Sequence, residues 1–259
     1  VSAQLRDSNG SLIGPVRRDN PYLPSSVTSV MDANGITQFN MGRAGLDLGN
    51  ARGATKSTAF RIVGGLSGAI TDRWNWNAYY QYGRSTYHQE ATNNLIRSRL
   101  LLAADVTSGP NGPICRSTLT NPTNGCQPLN LIGANRFSQA ALDYVTGTSM
   151  LDLQITQQVA ALDVQGDLVD LWAGPLSLAA GVEYRRDQVK GTTDALSPTG
   201  AFYVSNFAAS NGVVEVKEGF LEAVLPLLKD SAFGQSLELN GAVRRTDYST
   251  SGAVTTWKL

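Results

Sequence analysis

The sequence predicts an all-β fold: an antiparallel transmembrane β-barrel, present in part, with short helices in its longer loops. Three observations predict it. Apolar and polar residues alternate at period two over runs two to three times the ~5–6 residues usual for a soluble strand. Short and long connections take turns along the chain, as they do in barrels with short turns at one rim and long loops at the other. No stretch approaches the ~18 uninterrupted apolar residues of a spanning helix, and the mean hydropathy of −0.15 is the unremarkable average that alternating strands leave.

Residues 1–35 read as irregular, with Asn20-Pro21-Tyr22-Leu23-Pro24 leading into a short helix over Ser26–Ala33. Ser25 or Ser26 is the expected N-cap and Gly35 the stop. Residues 36–49, broken by Gly42 and Gly45, are placed in the outer loop as a hairpin above the rim. From Ser57 the alternation is clean. Phe60, Ile62, Gly64, Leu66, Gly68 and Ile70 share one parity; Ser57, Ala59, Arg61, Gly65 and Ser67 share the other. Thr71-Asp72 is a tight turn. After it Trp74, Trp76, Ala78, Tyr80 and Tyr82 oppose Asn75, Asn77, Tyr79 and Gln81, which completes a long hairpin.

Alternation stops from Ala91 to Thr146. Asn94–Asp105 reads as helix, with Leu95, Leu101 and Leu102 among its apolar positions, and Ser138–Val145 as a second. Strand resumes near Leu151 and runs to about Gly166, with a phase slip at Gln157-Gln158 that suggests a bulge. Leu176, Leu178, Ala180, Val182 and Tyr184 then alternate with Ser177, Ala179, Gly181, Glu183 and Arg185. Two more strands follow. In one, Leu221, Ala223 and Leu225 oppose Glu218, Phe220 and Glu222. In the other, Leu237, Leu239, Gly241 and Val243 oppose Glu238, Asn240, Ala242 and Arg244. A last strand starts near Ala253.

The connections are thus long (1–56), short (71–72), long (91–146), short (about 167–175), middling (191–212), short (about 228–235) and tight (250–252). In a meander every second connection lies at the same end. The expectation is seven membrane strands, the last incomplete, in a single barrel domain over 1–259 in which 1–56 and 91–146 are mainly long extracellular loops. Seven such strands are too few to close a channel-sized barrel. The chain opens on Val and ends in Thr255-Thr256-Trp257-Lys258-Leu259, which reads as a strand cut part-way, so both ends are expected to be truncations. Trp74 and Trp76 stand where an aromatic girdle meets the periplasmic interface. An apolar belt on one side of every strand separates this fold from a soluble sandwich. Asp163 and Arg245 are the exceptions, assigned to strand phase changes or ends.

Lys+Arg and Asp+Glu each number 21. That balance gives no electrostatic reason to expect nucleic acid. No nucleophile elbow, metal-ligand pair or phosphate-cradling glycine pattern occurs, so no enzymatic activity and no cofactor are expected. Cys115 and Cys126 lie in a Gly/Pro/Asn/Thr segment. In an extracellular loop a disulfide persists, worth about 2–3 kcal/mol on the loop-entropy model; a zinc site lacks ligands, with no histidine nearby. His88, the one histidine, falls near the outer end of a strand and reads as a surface residue. Candidate ligand contacts are the lumen-facing Tyr79, Gln81, Ser85 and Tyr87, with Glu183, Arg185, Glu222 and Arg244. Their alternative role is structural, hydrogen bonding to water or to a barrel filling.

Several strings, in order, carry a resemblance. They are Asn20-Pro21-Tyr22-Leu23-Pro24 with the helix behind it, and Trp74-Asn75-Trp76-Asn77-Ala78-Tyr79-Tyr80-Gln81-Tyr82-Gly83. Next come Cys126-Gln127-Pro128-Leu129-Asn130-Leu131-Ile132-Gly133 with Ala140-Ala141-Leu142-Asp143-Tyr144, and Ala173-Gly174-Pro175-Leu176 through Tyr184-Arg185. Last is Phe220-Leu221-Glu222-Ala223 through Pro226-Leu227. Together they resemble the middle of the barrel of TonB-dependent receptors, over nearly the whole chain and most firmly over 57–259. The resemblance implies a 22-stranded barrel in the bacterial outer membrane, filled by an N-terminal plug that is absent here. It implies active import of a scarce nutrient (an iron-siderophore, cobalamin or an oligosaccharide), driven by the TonB complex acting through that plug. The implied partners are outer-membrane lipid and the small-molecule or oligosaccharide ligand, with a monomeric receptor. Rival expectations are a passive porin-like barrel and a soluble secreted β-rich binding domain such as an adhesin.

Overall fold

A computed structural model describes residues 15–42, 46–232 and 234–259. The irregular reading of residues 1–14 and the break at Gly45 lie outside the described residues. Within them the elements are β1 (Val16–Arg17), α1 (Ser25–Ala33), β2 (Gln38–Phe39), a 3-10 turn (Leu46–Leu48), β3 (Arg52–Thr71) and β4 (Trp74–Leu95). Then come α2 (Arg97–Ala104), β5 (Val106–Gly109), β6 (Gly112–Cys115), α3 (Gln139–Val145), β7 (Thr146–Leu171) and β8 (Gly174–Thr193). The chain ends in β9 (Asn211–Ser231), β10 (Gly234–Tyr248) and β11 (Gly252–Lys258). Seven strands form one sheet in the order β11-β10-β9-β8-β7-β4-β3; β1 pairs with β2, and β5 with β6. The protein is therefore mostly antiparallel β, with the expected seven long strands. No helix among the described residues is long and apolar enough to cross a membrane.

The chain divides into two compact units. A loop unit gathers the described residues of Val1–Lys56 with His88–Leu151 and Thr192–Ala209. A sheet unit gathers Ser57–Tyr87, Asp152–Gly191 and Ser210–Leu259.

In the loop unit, α1 starts one residue earlier than expected. Pro24 is its N-cap: its carbonyl accepts from the N–H of Val27 at 3.0 Å and of Thr28 at 3.1 Å, and no side chain caps the end. Ser25 and Ser26 lie inside the first turn instead. Proline takes the cap because its fixed φ of −62° already suits chain entry. The end is a Schellman motif. Gly35 at φ +63° lets its own N–H reach Asp32 O and lets Ile36 N–H reach Met31 O. Gln38–Phe39 does not form a hairpin within 36–49; it pairs back onto Val16–Arg17. The helix over Asn94–Asp105 is shorter than expected. β4 runs on to Leu95, past the point where its alternation fails, because Ala91 and Asn94 are buried within this unit. α2 then turns Leu100, Ala103 and Ala104 inward, at helical spacing, and leaves Leu102 exposed. These three pack with Leu48, Leu129, Leu131, Ala141, Val145 and the bonded Cys115–Cys126 pair. Ser138 caps α3, its hydroxyl accepting from Ala141 N–H at 3.1 Å.

In the sheet unit β3, β7, β8 and β9 exceed their expected lengths at both ends, β4 at its end and β10 at its start, so most connections shrink. β3 and β4 are joined through Asp72-Arg73, and β7 and β8 through Trp172-Ala173. The bulge expected at Gln157-Gln158 is absent. Leu153 meets Gly191, Gln157 meets Asp187, Asp163 meets Gly181, and Asp167 meets Ser177, all on one unbroken register. The bulge falls in β9 instead. β10 pairs Leu237 with Leu228 and Glu238 with Pro226, which leaves Leu227 as the extra residue. Pro226 has no N–H to give the ladder, so a bulge is where a central strand tolerates it. The carbonyl of Leu227 accepts from the Trp172 indole N–H at 3.0 Å.

Candidate functional site

Register fixes which side chains share a face. β8 pairs with β9 so that Glu183 stands beside Glu218 and Gly181 beside Phe220; β9 pairs with β10 so that Glu218 stands beside Thr246 and Phe220 beside Arg244. Glu183, Arg185, Glu222 and Arg244 therefore lie on one face of the sheet. Gln157 carries that face to β7 through Asp187, and Gln81 carries it to β4 through Gln157. Tyr79, Ser85 and Tyr87 share the parity of Gln81 and complete the set. All the residues picked from the sequence as candidate contacts lie on this polar face.

They are not one cluster. Gln81, buried to 8% exposure, is the centre of a chain of hydrogen bonds across four strands. The Arg61 guanidinium donates to its Oε1. Its Nε2 donates to Gln157 Oε1 at 2.8 Å, and Gln157 Nε2 donates to Asp187 Oδ1 at 2.9 Å. Arg185 stands 3.4 Å from the other oxygen of Asp187. The Tyr79 hydroxyl lies near Glu183, and Asn77 donates to Asp163 at 3.2 Å. Asp163 is thus on the polar face and is no exception to the apolar belt. A second group holds Arg244. Its guanidinium is 3.1 Å from Glu218 and lies over the Phe220 ring at 5.4 Å, while Thr246 donates to Glu218 at 2.7 Å. Glu222 pairs with Ala179 and Ala242, away from both groups.

Arg61, Gln157, Asp187 and Glu218 are among the members the sequence reading did not pick as contacts. Parity alone could have found Arg61. Gln157 was hidden by the supposed phase slip beside it. Asp163, Asp187 and Glu218 each have a cation or an amide beside them, and Glu183 stands beside Tyr79 and Glu218, so the face offers oriented hydrogen-bond donors and acceptors. It offers no activated nucleophile and no proton-transfer pair. Among the described residues no group of three or more His, Cys, Asp or Glu could hold a metal.

The opposite face reverses the chemistry. Trp76 meets Gly68 and Thr86 meets Thr58, which puts the even positions of β3 and β4 together. From Phe60 to Ile70, Trp74 to Tyr82, Leu162 to Leu168, Leu176 to Tyr184, Gly219 to Leu225 and Leu237 to Val243, this face carries no charged residue. Its side chains are open: Leu66 is 72% exposed, Phe60 60%, Val182 59% and Leu237 55%. Charges bound it at both ends. Arg73 and Asp170 pair at 2.6 Å at one end, and Arg186 and Glu215 at 3.5 Å at the other. Arg245 belongs to that second border.

The loop unit is held by ion pairs and caps. Arg116 joins Asp19 at 2.6 Å and Asp105 at 3.0 Å, and Arg18 joins Asp32 at 2.7 Å. The Arg116 hydrogen bond holds the Asp19 carboxyl below its ordinary range. Burial pushes Asp194 up, but bonds from the Ser197 hydroxyl and the N–H groups of Met150, Ser197 and Leu196 outweigh it and set the net shift downward. Asn94, wholly buried, donates to Ser149 Oγ at 3.1 Å and to Val204 O at 2.6 Å, and accepts from Val204 N–H at 3.3 Å. His88 lies 3.7 Å from Glu90. Comparison with protein-family models, curated proteins and solved structures finds no match to this chain.

Proposed function

We propose that this chain is part of an outer-membrane β-barrel, of the TonB-dependent receptor kind, whose sheet spans the bilayer and whose polar face lines a ligand-passing lumen. One observation carries the membrane reading: an exposed, charge-free apolar face continues across the long strands of the sheet and ends at charged borders. A soluble protein exposing that much contiguous apolar surface invites association; in lipid the same surface is at home. Its height fits. Phe60 to Ile70 rises roughly 33 Å along a strand at ~3.3 Å per residue, or about 25 Å along the normal at a ~40° tilt. Trp74 and Trp172 stand at the short-turn border, where a girdle belongs. The polar face opposite carries hydrogen-bonding groups suited to a wet interior. Import driven through TonB rests on the resemblance of the quoted strings to that receptor family.

Two measurements test the reading in order. Tryptophan fluorescence of the chain, refolded into vesicles with bromine at graded depths on the acyl chains, should be quenched; no quenching at any depth ends the membrane reading. Ligand uptake by cells carrying the full-length protein should vanish when TonB is deleted. Uptake that persists would instead mark a passive pore.

A further inference from the structure

We infer that the outer half of the lumen wall binds an amphiphilic anion, its alkyl part on a patch of Leu153, Ile155, Val189 and Val214 and its charged group at Arg61. The inference rests on the lumen reading above and names a class of ligand for that face. A bulge at Gln157-Gln158 would have turned Leu153 and Ile155 to the apolar face with Leu162, Val164 and Leu168. The ladder of β7 runs unbroken instead: Leu153 lies against Gly191 and Gln157 bonds Asp187, so Leu153 and Ile155 share the polar face. β8 and β9 do the same. Val189 is two residues from Asp187 on that face, and Val214 and Val216 are the cross-strand partners of Asp187 and Arg185. The interior of a water-filled barrel is polar, so aliphatic side chains on three neighbouring strands call for a covering group. Among the described residues Ile155 has none over nearly half its surface, at 46% exposure. The patch lies beyond Leu162 from the Trp172-Ala173 turn, toward the long loops, where a ligand from outside arrives.

Area and charge select the cover. Three strands ~4.8 Å apart and two rows ~6.6 Å apart give the patch roughly 10 by 7 Å. A stable protein interface takes ~800 Å² from each partner, so an alkyl or aryl group fits where a protein does not. Thr58 meets Thr86, which makes Arg61 the cross-strand partner of Gly83, and Gly83 adjoins Gln157 on its other side. The Cβ that Gly83 lacks would meet nothing nearer than 4.0 Å, so the wall is low between Arg61 and the patch. Arg61 is exposed and donates to the amide oxygen of Gln81, a neutral partner that leaves the guanidinium its charge. Asp187 has Arg185 at 3.4 Å. From residues 57–63 of β3 across to 212–216 of β9, the charged residues of this part of the face are Arg61, Arg185 and Asp187, so positive charge is in excess. Arg61 and Ile155 stand about two strand spacings apart, roughly 10 Å, which one medium-length alkyl carboxylate can span.

The test titrates octanoate into the full chain refolded into phosphatidylcholine vesicles, read by calorimetry against empty vesicles. Acetate, which lacks the chain, and octylammonium, which reverses the charge, are the comparison probes. The expected result is saturable octanoate binding, about tenfold tighter than either probe. Arg61→Gln should remove the preference for octanoate over octylammonium. Ile155→Gln should weaken octanoate about fivefold. Val189→Thr, which nearly keeps the shape of valine and adds a hydroxyl, should weaken it about twofold and serves if Ile155→Gln does not insert. Heats equal to those of empty vesicles would overturn the inference, as would three probes that bind alike or octanoate binding that these substitutions leave unchanged. In the full-length protein on intact cells, Ile155→Cys should react with a small, water-soluble maleimide and be protected by octanoate. A cysteine that never reacts would mark a covering polypeptide and overturn the inference too. Bromolipid quenching on the same vesicles separates the two ideas: a chain that inserts yet binds no octanoate sinks this inference alone, whereas a chain that fails to insert sinks the membrane reading as well.

Discussion

The two units of this chain treat hydrophobic residues in opposite ways. Each of the largest fully buried side chains, among them Phe202, Leu100, Leu129, Val16, Val106, Val145 and Asn94, belongs to the loop unit. The sheet unit exposes Phe60, Ile62, Leu66, Leu168, Val182, Leu237 and Trp257. A water-borne domain must bury apolar area to offset its chain entropy, and the loop unit does so around a disulfide. The sheet unit buries polar groups such as Gln81 and Thr246 and turns its hydrophobics out. On the membrane reading proposed above the two units follow two solvent rules, and each rule predicts a different response to the same kind of substitution.

The largest contrast comes from placing a charge on each surface. Leu66→Arg in mid-β3 should cost about 2–4 kcal/mol in a bilayer, the depth-dependent penalty for a lipid-facing arginine. Leu119→Arg, at a similarly open position of the loop unit, should stay within about 0.5 kcal/mol. Urea titration of the vesicle-inserted protein compares them. Equal costs would erase the distinction between the two surfaces.

Next in size are losses confined to the loop unit. Replacing Cys115 and Cys126 together by serine should cost about 2–3 kcal/mol on the loop-entropy model. Amide exchange should quicken across 97–145 while the sheet amides keep their protection. Loss of protection in both units would show that they unfold as one. Asn94→Leu removes the wholly buried amide that bonds the N–H and C=O of Val204 and Ser149 Oγ, and should cost about 1–3 kcal/mol. Gln81→Leu interrupts the Arg61–Gln157 chain on the polar face and should cost about 1 kcal/mol. Because that face carries the proposed lumen, Gln81→Leu should also slow uptake by the full-length protein if the chain positions ligand-facing groups, and leave uptake unchanged if it is purely structural.

The contrast also decides what the sequence could reveal. A strand with one polar and one apolar face writes its register into every second residue, so the seven strands were legible, and the two faces could be read from Phe60, Trp74, Leu176, Leu221 and Leu237 onward. Ends were less legible. Ala91 and Asn94 lie in strand, but the loop unit buries both, and the alternation is lost while the ladder continues. Gln157-Gln158 imitated a slip because the apolar residues change parity around it: Leu151, Leu153 and Ile155 share the polar-face parity of Gln157, and Leu162, Val164 and Leu168 the opposite one, while the ladder runs unbroken. The true bulge at Leu227 was announced by Pro226, which was read only as part of a quoted string. In the loop unit the helices were visible from their spacing. The Asn94–Val204 and Arg116–Asp19 bonds join residues far apart in the chain, and no local pattern encodes such pairs.

The smallest effect is a dependence on pH that only the loop unit should show. Asp19 and Asp194 both have folded-state pKa values below the ordinary 3.8. A carboxyl depressed in the folded state favours folding above its unfolded value, and that contribution is lost as pH falls through the folded value. The loop unit should therefore keep its exchange protection from neutral pH down to about 4, the unfolded carboxylate value, and lose part of it below. Asp19 is exposed and Asp194 only partly buried, so screening keeps the loss small. Asp194→Asn keeps an oxygen that can accept from Leu196 and Ser197 but removes the titrating group. It should therefore be slightly less protected at pH 7 and show a shallower fall below pH 4. If the variant and the parent lose protection in parallel through that range, Asp194 contributes no linkage, and acid sensitivity must be sought at Asp19 and its Arg116 partner.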